Sequence, residues 1–123
     1  MNWKIEVIYV PVTDVDRAKD FYVGIGFHAD HDHRVSDEIR FVQLTPPGSA
    51  CSIAFGQGIG DMTPGSQRGI QVVVPSADEA RSLLLNAGVA ATEVDEQPWG
   101  RFVTFTDPDG NGWTLQELPA RNS

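Results

Sequence analysis

Residues 8–18 read Ile8-Tyr9-Val10-Pro11-Val12-Thr13-Asp14-Val15-Asp16-Arg17-Ala18, and 62 positions later residues 70–80 read Ile70-Gln71-Val72-Val73-Val74-Pro75-Ser76-Ala77-Asp78-Glu79-Ala80. Ile8, Val10, Val12, Asp16 and Ala18 each fall on an identical residue. The same displacement sets Gly26 on Gly88 and Gly48 on Gly110. A displacement of 61 sets Arg40-Phe41-Val42 on Arg101-Phe102-Val103, Thr45 on Thr106 and Pro47 on Pro108. The change from 62 to 61 needs one residue of slippage in a loop. Two copies are too few for a solenoid, which stacks about three or more units. The chain reads as one module written twice. A module of about 60 residues has a marginal core alone, so the two are expected to pack together.

Each copy has the same order: strand, helix, three strands. In the first, Lys4 to Val12 is rich in Ile, Val and Tyr and predicts a strand. Asp14 is a candidate N-cap, and Val15, Ala18, Phe21 and Tyr22 recur at helical spacing up to Val23, with Gly24 and Gly26 as stops. Phe27 to Arg34, Ile39 to Thr45 and Ala50 to Phe55 predict three strands, the last two divided by Pro46-Pro47-Gly48. In the second copy, strands are expected over Gly69 to Val74, Val89 to Val94, Arg101 to Thr106 and Trp113 to Glu117. Ser76-Ala77-Asp78-Glu79 is a capping-box pattern opening a helix to about Asn86, and Gly88 stops it. The expectation is an α+β fold of two repeats, about 4–56 and 68–118, within one domain spanning 1–123. Gly56 to Arg68, with four glycines and Pro64, predicts a flexible linker between them.

The chain carries 9 Lys+Arg against 17 Asp+Glu, a formal net charge of -8. Nucleic acid and anionic membranes both require clustered positive charge, so neither is an expected partner. Cys51 stands alone, which excludes an internal disulfide and a Cys-rich zinc site. No apolar run approaches the roughly 20 residues of a membrane helix. The N-terminal residues lack a signal-peptide apolar region, and a cytoplasmic location is expected.

Val12-Thr13-Asp14, then Arg17-Ala18, Phe21-Tyr22 and Gly24-Ile25-Gly26-Phe27, resembles the opening of the vicinal oxygen chelate superfamily. This is the glyoxalase, bleomycin-resistance and extradiol-dioxygenase group. Phe105-Thr106-Asp107-Pro108-Asp109-Gly110-Asn111 resembles its last hairpin, and the likeness runs from about Ile5 to Leu118. The resemblance implies two βαβββ modules whose sheets curl around a central cavity. It also implies where a metal would be held. The ligand positions of metal-using relatives fall here on Val7 and its mate Gly69, and on Thr114 and its mate Ser52. None of these suits a divalent catalytic metal, and Gln71 alone does not make a site. No metal and no cofactor are therefore expected.

His31 and His33 would share one face of a strand, with Asp30 and Asp32 on the other. Without a third ligand they read better as part of a solvated edge strand than as a metal pair or general base. Cys51 reads as a buried structural thiol, and Asp107 with Asp109 as turn chemistry. Period-two alternation directs Ile5, Tyr9, Ser52, Ala54, Gln71, Val73, Thr114 and Gln116 to the cavity, joined by Phe41, Gln43, Phe102 and Thr104 from the middle strands. Trp99, in the Gln97-Pro98-Trp99-Gly100 loop, is a candidate cap over a ligand. The candidate ligand-binding set is thus Tyr9, Phe41, Gln43, Ser52, Gln71, Trp99, Phe102, Thr104 and Thr114.

That lining suits a largely apolar or aromatic small molecule with a few polar handles. The acidic surface would mildly favour cationic or neutral ligands. The expected function is metal-free binding of a small molecule, as in drug-sequestering relatives. The alternative is a metal-dependent glyoxalase-like lyase or isomerase, or a dioxygenase. A third possibility is a partner-binding domain with its cavity closed by packing. The resemblance further implies a homodimer.

Overall fold

A computed structural model describes residues 1–120. The fold is α+β, with two helices and two four-stranded mixed sheets. It divides into two compact units. The first is Met1–Gln67 with Pro108–Asn111, and the second is Arg68–Asp107 with the chain from Gly112 onward.

In the first unit, β1 (Val7–Tyr9) leads to α1 (Val15–Gly24), then β2 (His28–Arg34), β3 (Arg40–Thr45) and β4 (Ser52–Gln57). The sheet order is β1-β4-β3-β2, with β1 and β4 parallel and the other pairs antiparallel. Asp14 caps α1 by accepting from the Arg17 amide at 3.0 Å, an arrangement worth about 1 kcal/mol. Ala18 and Tyr22 form the buried stripe of the helix. Tyr22 lies 6.0 Å from Phe55 and 5.3 Å from Phe27, ring centre to ring centre. Val10, Val42, Leu44, Ile53 and Phe55 complete this core. β3 and β4 approach so closely that a Cβ on Gly56 would lie 1.9 Å from the Arg40 carbonyl oxygen, so the position accepts glycine alone.

β2 is the edge strand, and every residue in it is exposed. Its charges answer the edge problem and also fasten it. Asp32 accepts from Lys19 of α1 at 2.8 Å and from Arg40 of β3 at 2.8 and 2.9 Å. Arg40 in turn reaches Asp16 of α1 at 2.7 Å.

The second unit repeats the order: β5 (Ile70–Val73), α2 (Ala77–Asn86), β6 (Asp95–Gln97), β7 (Gly100–Thr106) and β8 (Gly112–Glu117), in sheet order β5-β8-β7-β6. Ser76 caps α2 by accepting from the Glu79 amide at 3.1 Å. Gly88, at φ 80°, ends that turn, as an L side chain there would be strained. Ala77 and Leu84 of α2 are buried, as are Ile70, Val103, Phe105, Trp113 and Leu115 of the sheet. Phe105 and Trp113 oppose each other in the ladder with their rings stacked at 5.9 Å. No helix among the described residues is long and apolar enough to cross a membrane.

Several expectations need correction. The first strand is short, and Ile5, expected in the cavity, lies outside it and is exposed. Val89 to Val94 is not a strand. The strand is Asp95–Gln97, and Thr92 alone reaches β7 in this stretch, its amide donating to the Thr104 carbonyl at 3.0 Å. β-Branched composition misled here because ladder pairing, not propensity, decides an edge.

The segment expected to be a free linker is tied down within the first unit. Tyr9 donates to the Ile59 carbonyl, Gln67 donates to the Tyr9 carbonyl, and buried Gly65 packs against the Asp109 carbonyl. Asn111 is wholly buried; it accepts from the Gln67 amide and donates to the Pro11 carbonyl. Asp109 likewise does more than shape a turn, accepting from the Thr13 amide and hydroxyl and from Arg17. The repeat register shifts once more as well. Ile8 pairs with Ile53 as Ile70 pairs with Trp113, so the counterpart of Ser52 is Gly112 and not Thr114.

Candidate functional site

Each sheet has one face under its helix and one face turned away from it. In the first unit the away face carries the four residues expected there. Tyr9 pairs with Ala54, and Ala54 with Gln43, giving one row across the sheet that His31 extends. Phe41 pairs with Gly56 and His33, and Ser52 with Val7. Phe41 and Gln43 are half-buried and Ser52 is buried.

Their hydrogen bonds narrow what these residues can do. The Tyr9 hydroxyl donates to the Ile59 carbonyl at 2.5 Å, so its polar end is committed to holding the loop. Burial, with a smaller effect from Asp61, raises its pKa. Ser52 Oγ lies 2.7 Å from Thr45 Oγ1, and Thr45 donates to the Asp30 carboxylate. Strict alternation puts Asp30 on the same face as Asp32, opposite His31 and His33. A bulge between Ala29 and His31 instead sets it beside Thr45, while Asp32 keeps the helix side. One inserted residue reverses the alternation at that point.

His31 and His33 stack at 6.0 Å on the exposed edge strand. Cys51 is half-buried rather than buried, and burial followed by the nearby Glu6 raises its thiol pKa, away from nucleophilic use.

In the second unit, Gln71, Thr114 and Thr104 form one row of paired positions, which Thr92 extends. Val73, Gln116 and Phe102 form the next. Gln116 accepts from Gln71 at 2.7 Å and donates to the Trp99 carbonyl at 3.0 Å, so these amides largely satisfy one another. Trp99 sits in the turn between β6 and β7 with its ring mostly exposed.

A concavity of about 510 Å³ opens within this unit, lined by Arg68, Ala90, Ala91, Thr92, Thr104, Phe105, Thr106, Gly112, Trp113 and Thr114. That volume falls inside the range of small-molecule sites, about 300–1,000 Å³. Thr104 and Thr114 of the expected set line it, whereas Gln71, Trp99 and Phe102 do not. The sequence reading missed Arg68, Thr92 and Thr106. Thr106 shares the parity of Thr104 and is legible from it; Arg68 reads in sequence as the end of the linker. Arg68 is the one charged side chain in the lining, opposite in sign to the chain's net charge of -8.

The positions implied for a metal do not fit one. Val7 and Gly69 carry no donor, and Ser52 is already bonded to Thr45. Gln71 and Thr114 offer one amide and one hydroxyl, without the imidazole or carboxylate donors a divalent ion requires. No group of three or more His, Cys, Asp or Glu suited to a metal occurs among the described residues.

The model of the Glyoxalase/Bleomycin resistance protein/Dioxygenase superfamily matches residues 4–115. The uncharacterized protein YetH of Bacillus subtilis (strain 168) is 26% identical over 119 residues, covering 93% of this chain and 98% of its own. The crystal structure of TnmS3, an antibiotic binding protein from Streptomyces sp. CB03234, superposes with a TM-score of 0.86 at 34% identity, covering 96% of this chain and 98% of that one. A glyoxalase/bleomycin resistance protein from the same organism gives 0.81 at 35% identity, covering 93% and 100%.

Proposed function

The chain belongs to the Glyoxalase/Bleomycin resistance protein/Dioxygenase superfamily, and on that premise we propose that it binds a small organic molecule without a metal, in the manner of a drug-sequestering protein. The observation that carries this reading is the concavity of about 510 Å³ with its hydroxyl-rich, partly apolar lining. The antibiotic binding of a structural relative at 34% identity supports it. So does the poverty of metal donors at Val7, Ser52, Gly69 and Thr114. The ligand is largely apolar or aromatic, and Thr104 and Thr114 contact it directly. Tyr9, Phe41, Gln43 and Ser52 are proposed ligand contacts within the first unit, and Gln71, Trp99 and Phe102 within the second. The working form is a cytoplasmic homodimer that engages neither nucleic acid nor membrane, and the single domain is built of two repeats.

The test is a thermal-shift and titration screen of aromatic antibiotics and planar aromatic compounds, repeated on Thr104→Val with Thr114→Val. Saturable stabilisation that weakens in the variant is expected. A screen in which no compound shifts the melting temperature overturns the proposal.

A further inference from the structure

Most polar side chains lining the second-unit concavity can donate a hydrogen bond; Thr104, which gives its hydroxyl proton to Thr92, can only accept. Arg68 carries five N–H groups and no acceptor, and its side chain makes no ion pair or hydrogen bond among the described residues. Thr92 has both lone pairs engaged, since its Oγ1 accepts from the Thr104 amide at 2.9 Å and from the Thr104 hydroxyl at 3.4 Å. A hydroxyl has one proton and two lone pairs, so what Thr92 retains for a ligand is its proton. Thr106 and Thr114 add two uncommitted hydroxyls. No carboxylate lines the space, in a chain with 17 acidic residues.

We infer that this concavity takes the oxyanion of an aromatic acid, with the carboxylate on Arg68 and the Thr92 hydroxyl. The inference rests on the reading of the concavity as a small-molecule site and reverses the ligand charge that the net charge of -8 suggests. The reversal is physical. Distant surface carboxylates are screened within about 8 Å at physiological salt. A guanidinium–carboxylate contact is short, charge-assisted and geometrically matched.

The experiment compares two probes of one shape, 2-naphthoate and its methyl ester, by calorimetric titration of the whole chain. The acid is expected to bind about tenfold more tightly than the ester, a difference of about 1.4 kcal/mol. Arg68→Ala should abolish that preference, so that acid and ester bind the variant equally. Lys4→Ala, which removes one exposed positive charge elsewhere, should leave it intact. Equal binding of acid and ester, or an equal loss in Lys4→Ala, overturns the oxyanion inference while the small-molecule reading stands. Binding of neither probe at millimolar concentration, together with a silent antibiotic screen, overturns both.

Discussion

Arg40 meets Asp16 at 2.7 Å, and the repeat carries the relationship over intact, Arg101 meeting Asp78 at 2.8 Å. In each module an arginine at the start of the third strand, or beside it, ties the helix to the sheet. Each also gathers further carboxylates: Asp32 for Arg40, and Glu96 and Glu117 for Arg101. The two are unequal in setting. The Arg40 side chain is 13% exposed and that of Arg101 31%. Arg40→Ala is expected to cost about 1 kcal/mol, because it removes the guanidinium that holds Asp32 and Asp16 together. Arg101→Ala should cost less, its pairs being more solvated. Chemical denaturation of both variants checks the order, and equal losses would refute it.

Acid should weaken the first module through Asp32. Hydrogen bonds from Arg40 and then Lys19 hold its carboxyl well below the ordinary carboxylate range. A group depressed in the folded state contributes fully above its unfolded pKa of about 4 and loses that contribution as pH falls toward the folded value. Stability should therefore decline below about pH 4, and Asp32→Asn should flatten this part of the profile. Melting temperatures from pH 7 down to 2.5, wild type against variant, measure it; parallel curves would count against Asp32.

Proton inventory assigns the role of Ser52. Thr45 has one hydroxyl proton and gives it to Asp30, so Ser52 must donate to Thr45. Ser52 is left as an acceptor with no histidine or lysine on its own hydroxyl, since His28 stands only at the far end of the chain, 3.7 Å from Asp30, and a serine lacking an adjacent base is a poor nucleophile. Incubation with a fluorophosphonate should leave Ser52 unlabelled by mass spectrometry. Thr45→Val should destabilise by about 1–2 kcal/mol, as it leaves buried Ser52 without its partner. Labelling at Ser52 would reopen an enzymatic reading.

Metal content separates binding from the metal-assisted chemistries of the superfamily. Tag-free protein incubated with zinc, nickel, manganese or anaerobic ferrous iron should retain far less than one equivalent by elemental mass spectrometry. Near one equivalent per chain would return His31 and His33 to consideration, since their rings already stack at 6.0 Å.

Gly56→Ala should be among the most damaging single changes in the first module. The added methyl would meet the Arg40 carbonyl at 1.9 Å, which only separation of β3 from β4 could relieve. A loss of about 3 kcal/mol or more is expected in denaturant titration. An alanine variant of wild-type stability would show that the two strands are free to part.

Much of this protein is local and therefore legible in the chain. Asp14 and Ser76 cap their helices because a short side-chain oxygen accepts from an amide three residues on, whatever surrounds it. The alternation of Val42 and Leu44 with Phe41 and Gln43 sorts the faces of β3, because successive side chains of a strand point oppositely. The duplicated segment 8–18 and 70–80 likewise announced two equal modules, and the α+β class followed from their order.

Tertiary structure decided what depends on residues distant in sequence. The bulge that turns Asp30 toward Thr45 exists only through the pairing of β2 with β3. The Asp109 contact with Thr13 spans 96 residues, and no local pattern encodes it. The Gly-rich segment looked free because composition reports chain entropy. The Tyr9, Asn111 and Asp109 contacts that hold it belong to other parts of the chain. Arg68 reads in sequence as the end of a linker. It becomes a lining residue because the register of β5 on β8 brings it against Gly112, where a local positive charge opposes an acidic whole.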